Sequence, residues 1–295
     1  MKQRTIVIAA VSIILLSICF GWAYFIEPAR LVVNSQELRI RGWDPAFDGL
    51  KVVAIADIHA GSNGANAEQI RRVVRTANDQ HADLIVLLGD YVSPANKNDH
   101  SLKMPVSEMA KNLSGLEAKY GVFAILGNQD DAFDSNEVSE SLRRYGYNVL
   151  DGQVATINNN GRILRIAGLR DQLHVGNWQT YSDVNKRLLA PTEGMGDVLV
   201  LQHSPDIVPI ITGELAISND LKLMLAGHTH GGQVWLPILG RPVVPSGYGQ
   251  KYAAGFVSDP RLSVFVTTGV GTSNLPFRLM VPPEIAVLTI LSGTL

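Results

Sequence analysis

Cysteine is nearly absent from this 295-residue chain, which contains only Cys19. A single cysteine excludes an intramolecular disulfide and a zinc site built from several thiolates. An excess of basic residues is also missing, because 25 lysine and arginine residues accompany 27 aspartate and glutamate residues. Nucleic-acid binding is therefore disfavoured. There is no low-complexity tract or internal repeat, and 46% of the residues are hydrophobic, which indicates a folded domain with a full core.

One long hydrophobic run lies at the N-terminus. Residues Thr5 to Ile26 carry no formal charge, and this length suffices to cross a bilayer. Lys2 and Arg4 precede the run, so the positive-inside rule predicts a single-pass anchor in the cytoplasmic membrane with the remaining chain on the extracytoplasmic side. A cleaved signal peptide is the alternative, but its apolar core usually has only about 7–15 residues. We therefore expect residues 1–30 to form an uncleaved membrane anchor.

Five shorter apolar runs each end in a polar cluster. Such runs are typical of buried, mostly parallel strands, and α/β sheets bind ligands beyond the carboxyl ends of their strands. The runs and their clusters are Val52–Ala56 before Asp57-Ile58-His59, Leu84–Leu88 before Gly89-Asp90, Val122–Leu126 before Gly127-Asn128, Val198–Leu201 before Gln202-His203, and Leu221–Ala226 before Gly227-His228-Thr229-His230. The sequence thus predicts that these side chains converge on one rim.

The segments between the runs indicate an α/β architecture. Ile70, Val73, Val74 and Ala77 have the spacing of one apolar helix face, and strands and helices alternate from Lys51 to about Tyr145. Further along, Asn160-Gly161 is a strong hairpin signal. No stretch has the composition of an interdomain linker. We therefore expect residues 31–295 to form one domain.

The polar side chains have the composition of a metal site. Asp-x-His at a strand end places both side chains on one side, because Ile58 between them faces the core. Asp90 offers a carboxylate that can bridge two cations, and Asn128 offers an amide oxygen. The remaining ligand candidates are imidazoles, the commonest nitrogen ligands, at His203, His228 and His230. Nitrogen and oxygen ligands without thiolate suit Mn, Fe, Zn or Ni.

Each of these residues has an ordinary structural explanation when it is taken alone. Asp57 could cap a helix, and His203 could be a hydrogen-bonded core histidine. Their joint occurrence at successive strand ends favours the metal site. Three other histidines lack this context and are predicted to be surface residues, namely His81, His100 and His174.

In this order, the motifs resemble those of the calcineurin-like metallophosphoesterases, over about Gly49 to Leu291. The resemblance implies a four-layer α-β-β-α sandwich, preceded here by one N-terminal transmembrane helix. It also implies two divalent metal ions and in-line attack of a hydroxide on phosphorus. One metal would be held by Asp57, His59, Asp90 and His230, and the other by Asp90, Asn128, His203 and His228.

Later segments resemble a membrane-associated bacterial phosphodiesterase branch of this family. These segments are Gly231-Gly232-Gln233, Leu236-Pro237 and Val281-Pro282-Pro283-Glu284-Ile285. The branch includes relatives that cleave the diphosphate of UDP-2,3-diacylglucosamine in lipid A synthesis. The resemblance therefore implies a phosphorylated small-molecule or lipid-linked substrate.

One residue departs from the family pattern. The family motif Gly-Asn-His-Asp is here Gly127-Asn128-Gln129-Asp130, and the family histidine orients the phosphate and protonates the leaving oxygen. Glutamine donates hydrogen bonds but transfers no proton at ordinary pH, and general acid catalysis is typically worth about 10²–10⁴-fold. Either the leaving group needs no acid, or Asp130 or Asp131 supplies the proton, or the enzyme is weak.

The leading interpretation is a metal-dependent hydrolase of phosphodiester or diphosphate bonds on an envelope or lipid-linked substrate. Its candidate catalytic residues are Asp90, Asn128, Gln129 and Asp130. A non-catalytic module that binds phosphorylated ligands is the alternative that Gln129 supports, and a nuclease is disfavoured by the charge balance. Arg278 has two interpretations, contact with a phosphate or an ion pair with a carboxylate.

Overall fold

The computed structural model describes residues 2–96, 100–171, 176–192 and 194–293. The α-helices are α1 (Lys2–Gly21), α2 (Ala67–Asn78), α3 (Val106–Leu113), α4 (Asn128–Phe133), α5 (Ser135–Arg143), α6 (Trp178–Leu189) and α7 (Val208–Thr212). The strands are β1 (Val32–Arg41), β2 (Leu50–Ile55), β3 (Leu84–Leu88), β4 (Val122–Ile125), β5 (Asn148–Val149), β6 (Gln153–Asn159), β7 (Arg162–Gly168), β8 (Asp197–Leu201), β9 (Leu221–Ala226), β10 (Gly255–Val257), β11 (Ser263–Val266) and β12 (Glu284–Gly293).

The strands form two six-stranded sheets. The first has the order β1-β12-β2-β3-β4-β5, and the second has the order β10-β11-β9-β8-β7-β6. Strands β2 to β5 are parallel to one another, and so are β7, β8, β9 and β11. The predicted Asn160-Gly161 turn joins the antiparallel pair β6 and β7. Every strand end that carries a predicted ligand is therefore the carboxyl end of a parallel strand.

Alternation along the strands produces four layers. In β2, Val53 faces the cluster formed with α2, α3 and α5, whereas Val52 faces the second sheet. In β9, Leu223 faces the first sheet, whereas Met224 packs toward α6 and α7. Because these strands are covered on both faces, their sequences are continuously apolar. The predicted α-β-β-α sandwich is confirmed.

Helix α1 stands apart from this sandwich. Its described side chains are exposed along almost its entire length, and a π-helical turn, Trp22–Ile26, continues it. Within the described part of the chain, this segment is the one helix long and apolar enough to cross a membrane. It ends where buried Glu27 accepts a hydrogen bond from the Trp22 indole and forms an ion pair with Arg30 at 3.2 Å. The predicted N-terminal apolar helix is thus present, and its end is fixed to the fold.

Candidate metal centre

The seven predicted ligands lie together where the two sheets meet. Asp57 and His59 follow β2, Asp90 follows β3, and Asn128 begins α4 just after β4. The second sheet contributes the imidazoles that follow β8 and β9, at His203, His228 and His230. Of these seven residues, Asn128 and His228 are partly exposed and the other five are buried.

Three imidazole and carboxylate groups form one half of the site around Asp57. The Nε2 atom of His230 lies 3.6 Å from Oδ1 of Asp57. The Nε2 atoms of His230 and His59 face each other at 3.1 Å. These three residues bring their ligand atoms within 4.8 Å of one another. The spacing leaves room for one cation among them.

Asp90 connects this half of the site to the other. Its Oδ2 atom lies 3.4 Å from Nε2 of His59 and 3.4 Å from Nε2 of His203. Beyond His203, the Nδ1 atom of His228 lies 3.2 Å from the same Nε2 atom. This oxygen is therefore equidistant from the two histidines and lies between the two halves of the site.

Two observations indicate that these carboxylate, amide and imidazole groups suit divalent cations. First, pairs of imidazole nitrogens face each other within hydrogen-bond distance, although at most one proton can lie between them. Second, the buried Oδ1 atom of Asn128 finds no hydrogen-bond partner among the described residues. Buried polar atoms are nearly always satisfied, so this oxygen is directed at a group other than the protein.

The hydrogen bond of His203 to the backbone fixes its tautomer. Its Nδ1 atom lies 2.8 Å from the carbonyl oxygen of Leu88, which can only accept a hydrogen bond. The Nδ1–H group therefore donates to Leu88, and the lone pair of a neutral imidazole is on Nε2, facing Asp90. Such support from the backbone is the usual way in which a ligating histidine is oriented.

Burial and mutual charge shift the pKa values of these groups strongly. Burial alone would lower the pKa of His203, but Asp90 and Asp57 outweigh it and raise that pKa to about 10. Burial would raise the pKa of Asp90, but His203 and His59 outweigh it, and the pKa is lowered. Burial, reinforced by protonated His203, lowers the pKa of His228 to about 4. In the metal-free site, ionised Asp90 therefore lies beside protonated His203, and a cation that uses Nε2 of His203 as a ligand must displace its proton.

The backbone is strained at most of these ligands. Positive φ values are uncommon for residues other than glycine and tend to cluster at functional sites. Five of the seven predicted ligands have them, namely Asp57 (52°), His59 (43°), Asp90 (58°), His228 (70°) and His230 (51°). The sharp turns at the strand ends therefore point several side chains back toward the same point.

Glycines make this convergence possible. A Cβ atom on Gly227 would lie 2.6 Å from Oδ2 of Asp57, and one on Gly127 would lie 2.3 Å from Oδ1 of Asp90. Gly89 combines a φ of 89° with a position where a Cβ atom would lie 2.4 Å from the backbone nitrogen of Gly127. The Gly-Asp, Gly-Asn and Gly-His pairs in the sequence thus reflect close packing of the ligand loops.

Asp130 does not have the environment of a proton donor. It is fully buried, and its two oxygens accept hydrogen bonds from the backbone N–H groups of Asp90, Gly127, Tyr91 and Val92. Burial raises its pKa to about 7, but a proton on this carboxyl would displace one of the four donors. Asp131 lines a different cavity, with Arg170 and Tyr181. The geometry argues against both residues as replacements for the family histidine.

Gln129 lies at the wall of the site. Its backbone N–H donates to Oδ1 of Asp90 at 2.8 Å. Its side chain, with His59, lines a cleft of about 650 Å³ that also includes Lys103 and His100. His81 and His100 are exposed as predicted, although His100 borders this cleft, and His174 lies outside the described residues.

Arg278 satisfies neither of the two interpretations from the sequence. It is fully buried, and its guanidinium donates to the carbonyl oxygens of Thr268, Gly269, Gly271 and Val281. One of its nitrogens also lies 3.5 Å from Nδ1 of His230. Arg278 thus supports the loop behind Asp57 and His59, and no local sequence pattern could have indicated these contacts.

Comparison with known proteins agrees with this geometry. The chain is 30% identical over 279 residues to the uncharacterized metallophosphoesterase YkuE of Bacillus subtilis, covering 92% of this chain and 90% of that protein. It is 28% identical over 290 residues to the phosphodiesterase YaeI of Escherichia coli, covering 97% and 98%. A transmembrane protein with a metallophosphoesterase domain from Danio rerio is 25% identical over 273 residues, covering 90% of this chain and 58% of that protein.

Residues 50–232 match the model of the calcineurin-like phosphoesterase family. The match begins at β2 and ends just after the last predicted ligand, so it includes all seven converging side chains. Because it covers more than half of the chain and agrees with the relatives, the chain belongs to the calcineurin-like phosphoesterases, a family of metal-dependent phosphoric ester hydrolases.

Proposed function

We propose that this protein hydrolyses phosphodiester or diphosphate bonds with the help of two divalent cations. The observation that carries the proposal is the position of Asp90, whose Oδ2 atom is 3.4 Å from both His59 and His203. One cation would be held by Asp57, His59, Asp90 and His230. The other would be held by Asp90, Asn128, His203 and His228. Mn, Fe, Zn or Ni suits such a set of nitrogen and oxygen ligands.

When bound, such a pair of cations supplies Lewis acidity at phosphorus and generates hydroxide from water at neutral pH. The chain's own residues prepare the site for this chemistry. Asp57 accepts hydrogen bonds from the backbone N–H of His228, which ties the two sheets together beside the residues that would hold the cations. Leu88 holds the imidazole of His203 in the required tautomer. Asp130 positions the loops of Asp90 and Asn128.

Gln129 determines which leaving groups are favoured. Its amide can donate a hydrogen bond to a phosphoryl oxygen but cannot protonate the departing oxygen. We therefore propose that the protein acts best where the leaving oxygen is stable without a proton, as in a diphosphate or a nucleotide phosphate. The same residue supports the alternative, a metal-stabilised module that binds phosphorylated ligands without turnover.

The substrate that we propose is an envelope or lipid-linked phosphate. The support is the exposed apolar helix at the N-terminus, from which we propose that residues 1–30 are a membrane anchor ahead of a hydrolase domain of residues 31–295. Lys2 and Arg4 favour an extracytoplasmic position for this domain. A diphosphate such as that of UDP-2,3-diacylglucosamine would instead require a domain on the cytoplasmic side, so orientation separates these two substrate classes.

A chelation and reconstitution experiment tests the proposal. The full chain in detergent is stripped of metal, supplied with Mn²⁺, and assayed with bis-p-nitrophenyl phosphate, p-nitrophenyl phosphate and a lipid-linked diphosphate. Metal-dependent turnover is expected, and Asp90→Asn should reduce it by more than about 100-fold, since a ligand should matter more than its supporting residues. Asp79→Asn, at an exposed aspartate after α2, is the matched control. Absence of turnover with two metals bound per chain would instead favour the binding module.

A further inference from the structure

The end of the N-terminal helical segment is joined to a loop beside the metal centre. The backbone N–H of Arg278 donates to the carbonyl oxygen of Ala23 at 3.0 Å. The rings of Phe20 and Phe277 meet edge to face, with centroids 5.8 Å apart. Asn63 donates to the carbonyl oxygens of both Tyr24 and Pro276. The segment 275–280 is therefore held at the point where the helical segment meets the domain.

This loop is in turn paired with the chain that follows the last histidine. The backbone N–H of Leu279 donates to the carbonyl oxygen of Gln233, and that of Trp235 donates to the carbonyl oxygen of Leu279, both at 2.9 Å. The chain then folds back on itself, because Leu236 and Gly240 exchange backbone hydrogen bonds of 2.7 and 2.8 Å. Residues 237–239 form the tip of this tight hairpin.

The two segments expose large apolar side chains, which we call the apolar rim. Its members are Trp235, Ile238, Leu239, Val243, Leu275 and Met280. Ile238 is fully exposed, and Leu239 and Val243 are each 69% exposed. In the stretch 235–245 the one charged residue is Arg241, whose guanidinium donates to the carbonyl oxygen of Gly231. Exposed apolar side chains concentrated on two paired segments are typical of an interaction site.

The apolar rim also borders the opening of the metal centre. Val243 and Leu275 line a cavity together with Asp90, His228 and His230. A molecule that crosses the rim therefore arrives directly at the proposed ligands. The rim thus lies between the apolar N-terminal helix and the site of the chemistry.

We propose that the apolar rim enters the surface of the lipid bilayer and that the metal centre takes its phosphorylated substrate from that surface. The occupant is a bilayer because the segment that carries Leu275 and Met280 is hydrogen-bonded, through Arg278, to the end of the helix that is apolar and long enough to span one. Trp235 is suited to the interface by its apolar ring and polar N–H group. This inference rests on the proposed function for the identity of the substrate, but the contact of the rim with lipid can be tested separately.

The test uses the full chain in vesicles of phosphatidylcholine and phosphatidylglycerol. Cys19, the single cysteine, is replaced by serine, and Leu239→Cys is labelled with an environment-sensitive fluorophore. The control is Asn219→Cys, at an exposed residue that precedes β9 and so lies at the end of this strand opposite the metal centre. Emission from position 239 should shift to the blue and be quenched by spin-labelled lipids about threefold more than emission from position 219.

Two results would overturn the proposal. One is a label at position 239 that stays solvent-like. The other is a blue shift that spin-labelled lipids fail to quench, which would place a second copy of the chain on the rim. Hydrolysis of bis-p-nitrophenyl phosphate by the same vesicles reports on the metal centre alone. If hydrolysis is absent while lipids quench the label at position 239, the proposed function is wrong but the contact of the rim with lipid is supported.

Discussion

The carboxylate of Asp130 accepts a hydrogen bond from the backbone N–H of Asp90, with an N···O distance of 2.8 Å. The same carboxylate accepts a hydrogen bond from Gly127, immediately before Asn128. The buried side chain of Asp130 therefore fixes the separation between Asp90, the proposed bridging carboxylate, and Asn128, whose amide oxygen has no hydrogen-bond partner among the described residues. Its function is positional, although its place next to Gln129 makes it look like a catalytic acid.

Replacement of Asp130 by asparagine should weaken metal binding. The new NH₂ group would face backbone N–H donors, and each lost buried hydrogen bond costs about 1–3 kcal/mol of unfolding free energy. We expect metal affinity to fall by about 10–100-fold, as measured by titration of the chelated protein. Asp131→Asn is the neighbouring control. A loss confined to poor leaving groups, with metal affinity intact, would instead identify Asp130 as a proton donor.

Replacement of Gln129 by histidine should widen the range of leaving groups. The new imidazole would face the cleft beside His59 and supply the proton that the amide cannot. Turnover of diesters with poorly acidic leaving groups should rise by up to about 10²–10⁴-fold. Turnover of p-nitrophenyl esters should change little because their leaving group needs no proton. A uniform change across all leaving groups would show that position 129 acts only through binding.

Metal uptake should release a proton from His203. Its folded-state pKa of about 10 lies above the ordinary value of 6.5, so the metal-free site holds this proton at pH 8. The proton's stabilising effect on the metal-free fold is complete below pH 6.5 and is lost as the pH rises toward 10. Calorimetric metal titrations at pH 8 in buffers of different ionisation enthalpy should show release of about one proton. Asp90→Asn removes the main cause of the raised pKa and should reduce the number of protons released.

Gly227→Ala should damage the site without touching a ligand. The new methyl group would lie 2.6 Å from both Oδ2 of Asp57 and Cβ of Ala56, so Asp57 must move. We expect a loss of metal affinity of about 10–100-fold, comparable to the loss of a supporting hydrogen bond. Gly176→Ala, where a Cβ atom meets nothing within 4 Å, is the control. Equal metal affinities for the two variants would contradict the proposed close packing.

The layers of the sandwich and the convergence of the ligands at its strand ends were predicted well from the sequence. Strands such as β2 and β9 are covered on both faces, so their apolar runs are continuous and end abruptly at polar residues. Parallel pairing then brings their ends together, and spacing along the chain was sufficient to predict which side chains converge. The N-terminal helix was equally clear, because length and composition alone define such a segment.

The supporting contacts could not be predicted in this way. Asp130 reaches Tyr91 across 39 positions, and Arg278 reaches carbonyl oxygens of Thr268 and Val281 within its own loop between β11 and β12. Neither set of hydrogen bonds leaves a periodic pattern in the sequence, so a buried arginine looks the same as one that binds phosphate. The attachment of Ala23 to Arg278 is likewise a product of the tertiary fold.

The left-handed backbone conformation at five of the proposed ligands lowers the folding stability of the chain but serves its proposed activity. Each such residue costs about 1–3 kcal/mol relative to a relaxed conformation, and glycine would remove most of that cost. Selection of the metal-free chain for heat resistance would therefore favour glycine at positions such as His59, where the φ value is 43°. Selection for turnover would retain the histidine. The substitutions that would raise folding stability at these positions are therefore the ones that would remove the proposed metal ligands.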